Sequence, residues 1–392
     1  MILVDKPYVS DFLKETARAN RIPIIKTAEA RALGITEGAH LLSDKEAVAR
    51  LKGADSIRLY TTTENAIGWI ARHLAFTDLP EKIGLFKNKV RFRELLKPLT
   101  PDFHFKEVAG EDLDGLNLEE VPLPFVIKPA VGFFSMGVHK VATPGEWDAV
   151  RESIETEIGN VRDLYPSEVI DAATFIIEEA IEGEEFAIDA YFDAEGAPVI
   201  VGIFHHLFAS GEDVNDRVYY TSEAVVRGNL EEFTRFLGAI GTLTGVRNFP
   251  VHVELRRTAG GALIPIEINP MRFGGWCSTP DLTFHAYGIN PYLMYFTQQR
   301  PDWDAVLEGK EGKRYCIIVL DNTTGIEGGK IARFDYDRLL SRFDHPLELR
   351  RIDYTAYPVF GFVFTETSED NLWELEQILR SDLREFVTLK EG

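Results

Sequence analysis

The sequence predicts a multidomain protein built from α/β and α+β units. Its 392 residues exceed the usual size of one domain, and a hydrophobic content of 45% is sufficient for several cores. Short apolar runs alternate with helical patterns in the first part of the chain, whereas the middle part is rich in strands. These observations predict three domains, at residues 1–85, 86–305 and 306–392.

The composition argues against several classes of protein. No stretch approaches the roughly 20 apolar residues that a membrane helix needs, and Asp5 comes too early for a secretory signal. Acidic residues outnumber Lys and Arg by 63 to 42, and the net charge of −21 would repel a nucleic-acid backbone. Two cysteines cannot form a disulfide framework. We therefore expect a cytoplasmic protein that binds neither membranes nor nucleic acids.

The first domain, residues 1–85, has the pattern of an α/β unit. The runs "MILVD" and "IPIIKT" are typical of strands, and "SDFLKETARANR" and "NAIGWIARHLAF" are typical of helices. Ser10 is in a suitable position to open the first helix. The unit resembles half of a Rossmann domain. It contains no G-x-G-x-x-G, so the sequence does not support dinucleotide binding.

The central domain, residues 86–305, begins with a helical pattern in "KNKVRFRELL", which Pro98 and Pro101 end. Its predicted strands are "FVIKPA", "MGVHKVA", "TFIIEEA", "EFAIDAYF" and "PVIVGIFHHLFA", and "LEEFTRFLGAIGTLTG" predicts an amphipathic helix. The last domain, residues 306–392, has strands at "RYCIIVL" and "YPVFGFVFT" and a helix at "NLWELEQILRSDL". This pattern predicts a small α+β unit.

A predicted hairpin, "VHVELRRTAGGALIPIEINP", carries regularly spaced acids on two strands that flank a Gly-Gly turn. Side chains alternate between the two faces of a strand, so each strand has one aliphatic and one polar face. In one possible register, the numbers of paired residues sum to an odd value, as for Glu254 opposite Pro265. This register brings the aliphatic residues of both strands together. The same register places Glu254 diagonal to Glu267, about 7 Å apart at the backbone. The hydrophobic pattern therefore predicts that the two acids converge.

Two carboxylates at this separation need compensation. They repel each other by about 2–3 kcal/mol at an effective dielectric constant of about 20. Protonation of one acid would relieve the repulsion. A hard divalent cation would do so as well, because Glu254, Glu267 and Asn269 offer suitable oxygen ligands. The alternative is a solvated polar face on a half-exposed hairpin.

Two upstream segments have features of a nucleotide site. In "FVIKPAVGFFSMGV", Lys128 ends an apolar strand, and a loop with Ser135 and Gly137 follows, which suits phosphate contacts. In "TFIIEEAIEGEEF", an apolar strand ends at Glu178, where backbone groups could hold a flat base and an acid could reach a ribose hydroxyl. A plain hairpin turn and a solvated acidic turn are the alternatives.

By order and spacing, these segments resemble those of ATP-grasp proteins, in which the nucleotide lies between two α+β subdomains. The match runs through residues 85–295. It implies an ATP-grasp fold with a Rossmann-like N-terminal domain, a two-subdomain ATP-grasp core and a small α+β C-terminal domain. The ATP-binding residues that the resemblance implies are Lys89, Lys128, Ser135, Gly137, Glu178, Ala180, Ile181 and Glu185. The implied ligands of Mg²⁺, or of Mn²⁺ as an alternative metal, are Glu254, Glu267 and Asn269.

The catalytic residue that the resemblance implies is Arg272, which would contact an acyl phosphate or a substrate carboxylate. Many ATP-grasp proteins have Arg directly after Asn-Pro, whereas Met271 intervenes here. Lys87 is an alternative to Lys89 as the first ATP-contacting lysine. Arg217, in a polar segment, is a further candidate for a phosphate or substrate contact.

The activity that the resemblance implies is that of an ATP-dependent carboxylate–amine ligase. ATP would activate a carboxylate as an acyl phosphate, and an amine would then displace phosphate to form an amide or peptide-like bond. The alternatives are a small-molecule kinase on the same scaffold and a non-catalytic nucleotide-binding protein. The expected partners are small carboxylate and amine substrates, and a homodimer is common in such families.

Overall fold

The computed structural model describes most of the chain. The described residues are 1–35, 38–54, 56–131, 137–161, 171–209 and 216–391. Within these ranges, no helix combines the length and the apolar character that crossing a membrane requires.

A four-stranded parallel sheet, in the order β3-β2-β1-β4, forms the first part of the chain. Its strands are β1 (Ile2–Leu3), β2 (Ile24–Ile25), β3 (Leu41–Leu42) and β4 (Tyr60–Thr61), and its helices are α1 (Asp11–Ala19), α2 (Ala28–Ala32), α3 (Asp44–Lys52) and α4 (Ile67–His73). Ser10 caps α1 by accepting a hydrogen bond from the backbone N–H of Leu13 at 3.1 Å. Parallel strands that alternate with helices confirm the predicted α/β pattern.

Two helices and a small antiparallel sheet follow. The helices are α5 (Leu79–Lys87) and α6 (Lys89–Leu96), and the sheet has the order β5-β8-β6-β7. Its strands are β5 (Phe105–Ala109), β6 (Phe125–Val131), β7 (His139–Val141) and β8 (Asp171–Glu179), with α7 (Trp147–Val161) between β7 and β8. Helix α6 ends just before Pro98, as predicted, because a proline can neither donate a backbone hydrogen bond nor fit within a helix.

An eight-stranded sheet dominates the rest of the chain, in the order β13-β12-β9-β10-β11-β14-β17-β16. These strands are β9 (Glu184–Phe192), β10 (Pro198–Leu207), β11 (Val218–Ser222), β12 (Phe249–Arg257), β13 (Leu263–Pro270), β14 (Lys313–Asp321), β16 (His345–Arg351) and β17 (Val359–Ser368). Since β14 pairs with β11, the last part of the chain continues the central sheet. The domain limits at residues 85 and 305 stay predictions.

The remaining elements cover this sheet. They are α8 (Glu223–Thr244), α9 (Ser278–Tyr287), α10 (Pro291–Thr297), α11 (Trp303–Leu307), α12 (Tyr336–Leu340) and α13 (Trp373–Leu379), with a two-stranded sheet of β15 (Ile331–Phe334) and β18 (Val387–Leu389). The largest hydrophobic core joins the N-terminal helices to one face of the large sheet and contains Trp69, Phe86, Phe186 and Val251.

The β12–β13 hairpin differs from the prediction in its register. Glu254 lies directly opposite Glu267, and Leu255 lies opposite Pro265, with a bulge at Ile266 between them. The predicted pairing of Glu254 with Pro265 is therefore wrong, and so is the diagonal placement of the acids. A proline has no N–H for the strand ladder and is tolerated at sheet edges and bulges, and β13 is an edge strand. The bulge brings the acids closer together than predicted.

Candidate active site

A cleft of about 310 Å³ lies where the N-terminal unit, the small sheet and the β12–β13 hairpin meet. Its charged lining residues are Glu64, Lys87, Lys89, Lys128, Asp216, Glu254, Glu267 and Arg272. Asn269 and Ile266 also line it. Ile266 lies at the bulge, so this aliphatic residue of β13 lines the cleft beside the polar face of the hairpin.

The two acids of the hairpin strongly influence each other. Burial, together with the negative charge of Glu267, raises the pKa of Glu254 to about 7. Burial would also raise the pKa of Glu267, but the charge of Lys89 and a hydrogen bond from Asn269 lower it overall. Asn269 donates this bond from Nδ2 to Oε1 of Glu267 at 2.7 Å, which leaves its own Oδ1 as an acceptor.

This donor set fits a divalent metal ion. Two carboxylates that face each other across a strand pair and one amide oxygen are hard oxygen ligands of the kind that Mg²⁺ prefers. A cation held there would remove the repulsion that raises the pKa of Glu254.

His252 is a neighbour of the acids that we did not predict as a site residue. Its Nδ1 lies 2.7 Å from Oδ1 of Asp189, and its Nε2 lies 3.4 Å from Oε1 of Glu254. Burial would lower the pKa of His252, but the hydrogen bonds with the two carboxylates raise it to about 9. The two carboxylates therefore favour the protonated imidazole. Its position two residues before Glu254, on the same strand face, is the sequence signal that could have found it.

Three lysines bring positive charge to the cleft. Burial lowers the pKa of Lys89 to about 8, although the charge of Glu267 opposes this effect. Lys128 lies on β6, where its Nζ is 2.7 Å from Oε2 of Glu178. Lys87 forms an ion pair with Glu64. Lys87 and Lys89 both line the cleft, so both stay candidates for the first phosphate contact.

Arg272 reaches the cleft in spite of the inserted Met271. Met271 adopts a left-handed backbone with φ of 67°, which is uncommon for a residue with a bulky side chain. Its backbone N–H donates to Pro250, and its carbonyl accepts from Thr61, both at 2.8 Å. Nη2 of Arg272 then lies 3.3 Å from Oε1 of Glu64. The left-handed residue thus accommodates the insertion and lets the arginine line the cleft.

Glu178 lies in a buried ion network behind Lys128. Nε of Arg93 is 2.6 Å from Oε1 of Glu178, and both side chains are almost completely buried. Burial alone would raise the pKa of Glu178, but the positive charges of Lys128 and Arg93 lower it to about 2. Arg93 was not predicted, because nothing in the sequence places a helix residue beside a strand end 85 positions away.

The other predicted hinge residues lie outside the lining of the cleft. Ala180 and Ile181 line a separate cavity of about 960 Å³. The N–H of Ala180 donates to Pro124 at 2.9 Å, and the carbonyl of Ile181 accepts from Nη1 of Arg256 at 2.5 Å. Glu185 accepts from Arg256 as well, at 2.9 Å, and its other carboxylate oxygen lies 3.0 Å from Nδ1 of His206.

The central part of the chain matches a known type of domain. A family model described as the ATP-grasp domain matches residues 121–280. The chain contains an ATP-grasp domain. No curated protein sequence matches the chain significantly.

Similarity of fold to solved structures extends over the whole length of the chain. An L-amino acid ligase from Bacillus licheniformis has a TM-score of 0.70 and 18% identity, with 100% of this chain and 98% of that chain covered. An N5-carboxyaminoimidazole ribonucleotide synthetase from Thermotoga maritima has a TM-score of 0.62 and 14% identity, with coverages of 100% and 99%. A Campylobacter jejuni biotin carboxylase–β-γ-ATP complex has a TM-score of 0.59 and 12% identity, with coverages of 99% and 91%. The predicted fold class is confirmed.

Within the ATP-grasp domain, the predicted phosphate loop is only partly described. Ser135 lies outside the described residues. Gly137 has a left-handed backbone with φ of 68°, and the next residue, Val138, lines the cleft. Arg217 is buried and donates to the carbonyl of Ser381 at 3.1 Å and to Oγ1 of Thr323 at 3.0 Å. These bonds connect Arg217 to the last part of the chain.

The loop after Arg272 is anchored on a buried acid of the ATP-grasp domain. Asp189 is fully buried, and its Oδ1 accepts from the N–H of Gly274 at 2.9 Å. Its Oδ2 accepts from Oγ1 of Thr279 at 2.6 Å. The same carboxylate therefore holds His252 and the loop that carries Arg272.

Two adjacent glycines allow a test of this loop. A Cβ at Gly274 would lie 1.9 Å from Oγ1 of Thr279, whereas a Cβ at Gly275 would have no atom within 4 Å. We expect Gly274→Ala to lower the free energy of unfolding by about 1–3 kcal/mol, because the loop must shift. Gly275→Ala is the matched control and should keep the stability of the unmodified protein. Urea unfolding measures both, and equal stabilities of the two variants would contradict the packing described.

Proposed function

We propose that the protein is an ATP-dependent ligase that activates a carboxylate as an acyl phosphate and joins it to an amine, with release of ADP and phosphate. The observation that carries this proposal is that one cleft gathers Glu254, Glu267, Lys89, Lys128 and Arg272. The names of the structural relatives, which include an L-amino acid ligase and a ribonucleotide synthetase, support it.

The acidic side of the cleft is proposed to hold the metal. Glu254, Glu267 and Asn269 would bind Mg²⁺, for which Mn²⁺ can substitute, and the ion would neutralise phosphate charge when ATP is bound. Glu267 also interacts with Lys89. The acid thus keeps the lysine beside the position that we propose for the phosphates.

The basic side of the cleft is proposed to bind the phosphates. Lys89 and Lys128 would contact phosphate oxygens, with Ser135 and the backbone of Gly137 as further donors. Glu178 holds Lys128 in place from behind, at 2.7 Å. In a protein with a net charge of −21, these placed cations are needed to attract an anionic nucleotide.

The base and the ribose are proposed to bind at the hinge. Ala180 and Ile181 would hold the base through backbone groups, and Glu185 would reach the ribose. Arg256 contacts both the Ile181 carbonyl and the Glu185 carboxylate. Arg256 therefore lies beside groups that we propose for the base and the ribose, and the Ile181 carbonyl retains a second lone pair for the base.

Arg272 is proposed to bind the carboxylate that becomes activated. Negative charge spreads over the transferred phosphoryl group and the attacking carboxylate, and a guanidinium can donate two parallel hydrogen bonds to such groups. The ion pair with Glu64 directs Arg272 into the cleft, where its side chain is only 14% exposed.

A screen of carboxylates and amines tests the proposal. We expect release of ADP and inorganic phosphate only when a suitable acid is present, with an amide product when the amine is added. Hydroxylamine should trap the activated acid as a hydroxamate. A stable phosphorylated product without free phosphate would instead indicate a kinase, and ATP binding without turnover across the panel would indicate a nucleotide-binding protein.

A further inference from the structure

A second cavity, of about 750 Å³, opens beside the cleft. The two spaces share Glu254, Asp216 and Gly275 in their linings, so they adjoin each other at the edge of the proposed metal site. The far part of the second cavity is lined by residues of β14 and β17, which the proposed ATP site does not use.

The floor of this cavity is one face of the large sheet. Directly paired residues share a face, and Glu254 pairs with Ala187, Tyr219 with Ile317, and Val319 with Phe362. The strands run in the order β12-β9-β10-β11-β14-β17. Since neighbouring strands are about 4.8 Å apart, roughly 19 Å separate Glu254 from the β14 side chains.

The polarity of the floor changes between Glu254 and strands β14 and β17. The floor begins at the acidic edge that holds Glu254, and its far part consists mainly of the apolar side chains Ile317, Val319 and Phe362, with Asp321 at the end of β14. Val319 is half-buried, so its side chain is partly accessible at the apolar end of the cavity. A cavity of this size accommodates a ligand much larger than a simple amine.

The charges around the cavity favour a cation. Besides Glu254, its lining contains the carboxylates Asp216 and Asp321. Its cationic residues are the exposed Lys6 and His252, and the ring nitrogens of His252 lie against Asp189 and Glu254. Burial raises the pKa of Asp321 to about 6, and the positive charge of Arg217 offsets only part of this effect. A bound ammonium group at the shared edge would compensate Asp216, which lines both spaces and lies outside the proposed metal site, whereas an anionic ligand would be repelled by this carboxylate.

We infer that this cavity binds the amine substrate, and that this substrate is a cationic amine on an extended apolar body that reaches β14 and β17. The inference rests on the proposed ligase function, because the nitrogen has to meet the activated carboxylate at the edge that both spaces share. The ammonium group loses one proton to solvent, and the neutral nitrogen attacks the carbonyl carbon. The C–N bond forms, the bond from carbon to the phosphate oxygen breaks, and the departing phosphate takes the second proton.

Binding of a homologous series of amines tests the inference without ATP. Propylamine, pentylamine and heptylamine should bind with an affinity that rises about fourfold per methylene, as measured by calorimetry. Heptanoate, which has the same apolar body and a negative charge, should bind at least about tenfold more weakly than heptylamine. An affinity for amines that does not depend on chain length, or equal binding of heptanoate, would overturn the inference.

Val319→Phe tests where the apolar body lies. The larger side chain should weaken heptylamine binding about tenfold or more and leave propylamine binding unchanged. Leu347→Phe, at an exposed position of β16 in the same sheet, is the matched control. If Val319→Phe does not fold, Val319→Leu is the smaller change and should show the same selective loss in weaker form. Unchanged heptylamine binding in a folded variant would place the apolar body elsewhere.

The inference and the proposed function can fail separately. Hydroxamate formation measures carboxylate activation alone, because hydroxylamine has no apolar body and does not depend on the apolar end of the cavity. Hydroxamate formation together with chain-length-independent amine binding would overturn the inference and leave the ligase proposal intact. Chain-length-dependent binding without a hydroxamate from any acid would contradict the ligase function, and with it the assignment of the bound amine as a substrate.

Discussion

Glu267→Gln is expected to lower ATP-dependent turnover by about 10²-fold or more, because the substitution removes a negative charge from the proposed metal site and keeps its shape. The amide oxygen of glutamine can still accept the 2.7 Å hydrogen bond from Asn269, so the hairpin should remain folded. We expect the loss to be accompanied by a higher Mg²⁺ requirement. Titration of kcat/KM for ATP against Mg²⁺, with acid and amine saturating, measures both effects.

A control for Glu267→Gln is available on α8. Glu231 is exposed and forms an i, i+4 ion pair with Arg235, so Glu231→Gln should leave turnover and the Mg²⁺ requirement unchanged. Full turnover of Glu267→Gln at ordinary Mg²⁺ concentrations would refute the proposed metal site.

Arg93→Met is expected to lower the free energy of unfolding by about 3–5 kcal/mol, because it removes one partner of a buried ion pair. The side chains of Arg93 and Glu178 are 1% and 4% exposed. Arg93 also donates from Nη1 to the carbonyl of Pro265 at 2.7 Å, and this bond connects α6 to the bulge of the hairpin. Urea unfolding measures the loss.

The same network predicts how stability depends on pH. The pKa of Glu178 is lowered from 4.5 to about 2 on folding, so its ionised form stabilises the protein above about pH 4.5. This contribution, of about 3 kcal/mol, is lost as the pH falls toward 2. Arg93→Met removes a charge that lowers this pKa, so acid unfolding should move to a higher pH.

Two controls make this test specific. Arg93→Met combined with Lys128→Met leaves Glu178 with neither of these two cations and should be less stable than Arg93→Met alone. Arg235→Met removes an exposed ion pair and should cost less than about 0.5 kcal/mol. If Arg93→Met and Arg235→Met lowered stability equally, the buried network would not have the importance that we assign to it.

Much of the fold follows from local patterns in the sequence. The helix after Ser10, the helix before Pro98 and the apolar strands form near the predicted places, because capping, proline geometry and hydrophobic periodicity act over a few residues. The convergence of Glu254 and Glu267 was predicted for a similar reason. Each acid lies on the polar face of its own strand, and the turn between the strands is short.

The predictions were less complete where the answer depends on residues far apart in the chain. Arg93 and Glu178 are 85 positions apart, and no local sequence pattern predicts their contact. The alternation within β12 was predicted, but the hydrogen bond from His252 to Asp189 joins two different strands. Contacts of this kind are decided by how α6, β8, β9 and β12 pack, which is a property of the whole fold.

Local sequence pattern predicts which residues of an unbroken strand share a face, because the alternation of side chains is set by the covalent geometry of the backbone. Glu267 and Asn269 lie on the same side of the bulge and were placed together correctly. Which acids face each other across the hairpin depends on the packing of the folded chain. One extra residue at the bulge moved Glu267 opposite Glu254 and turned Ile266 into the cleft, because a shift of one position exchanges the two faces of a strand.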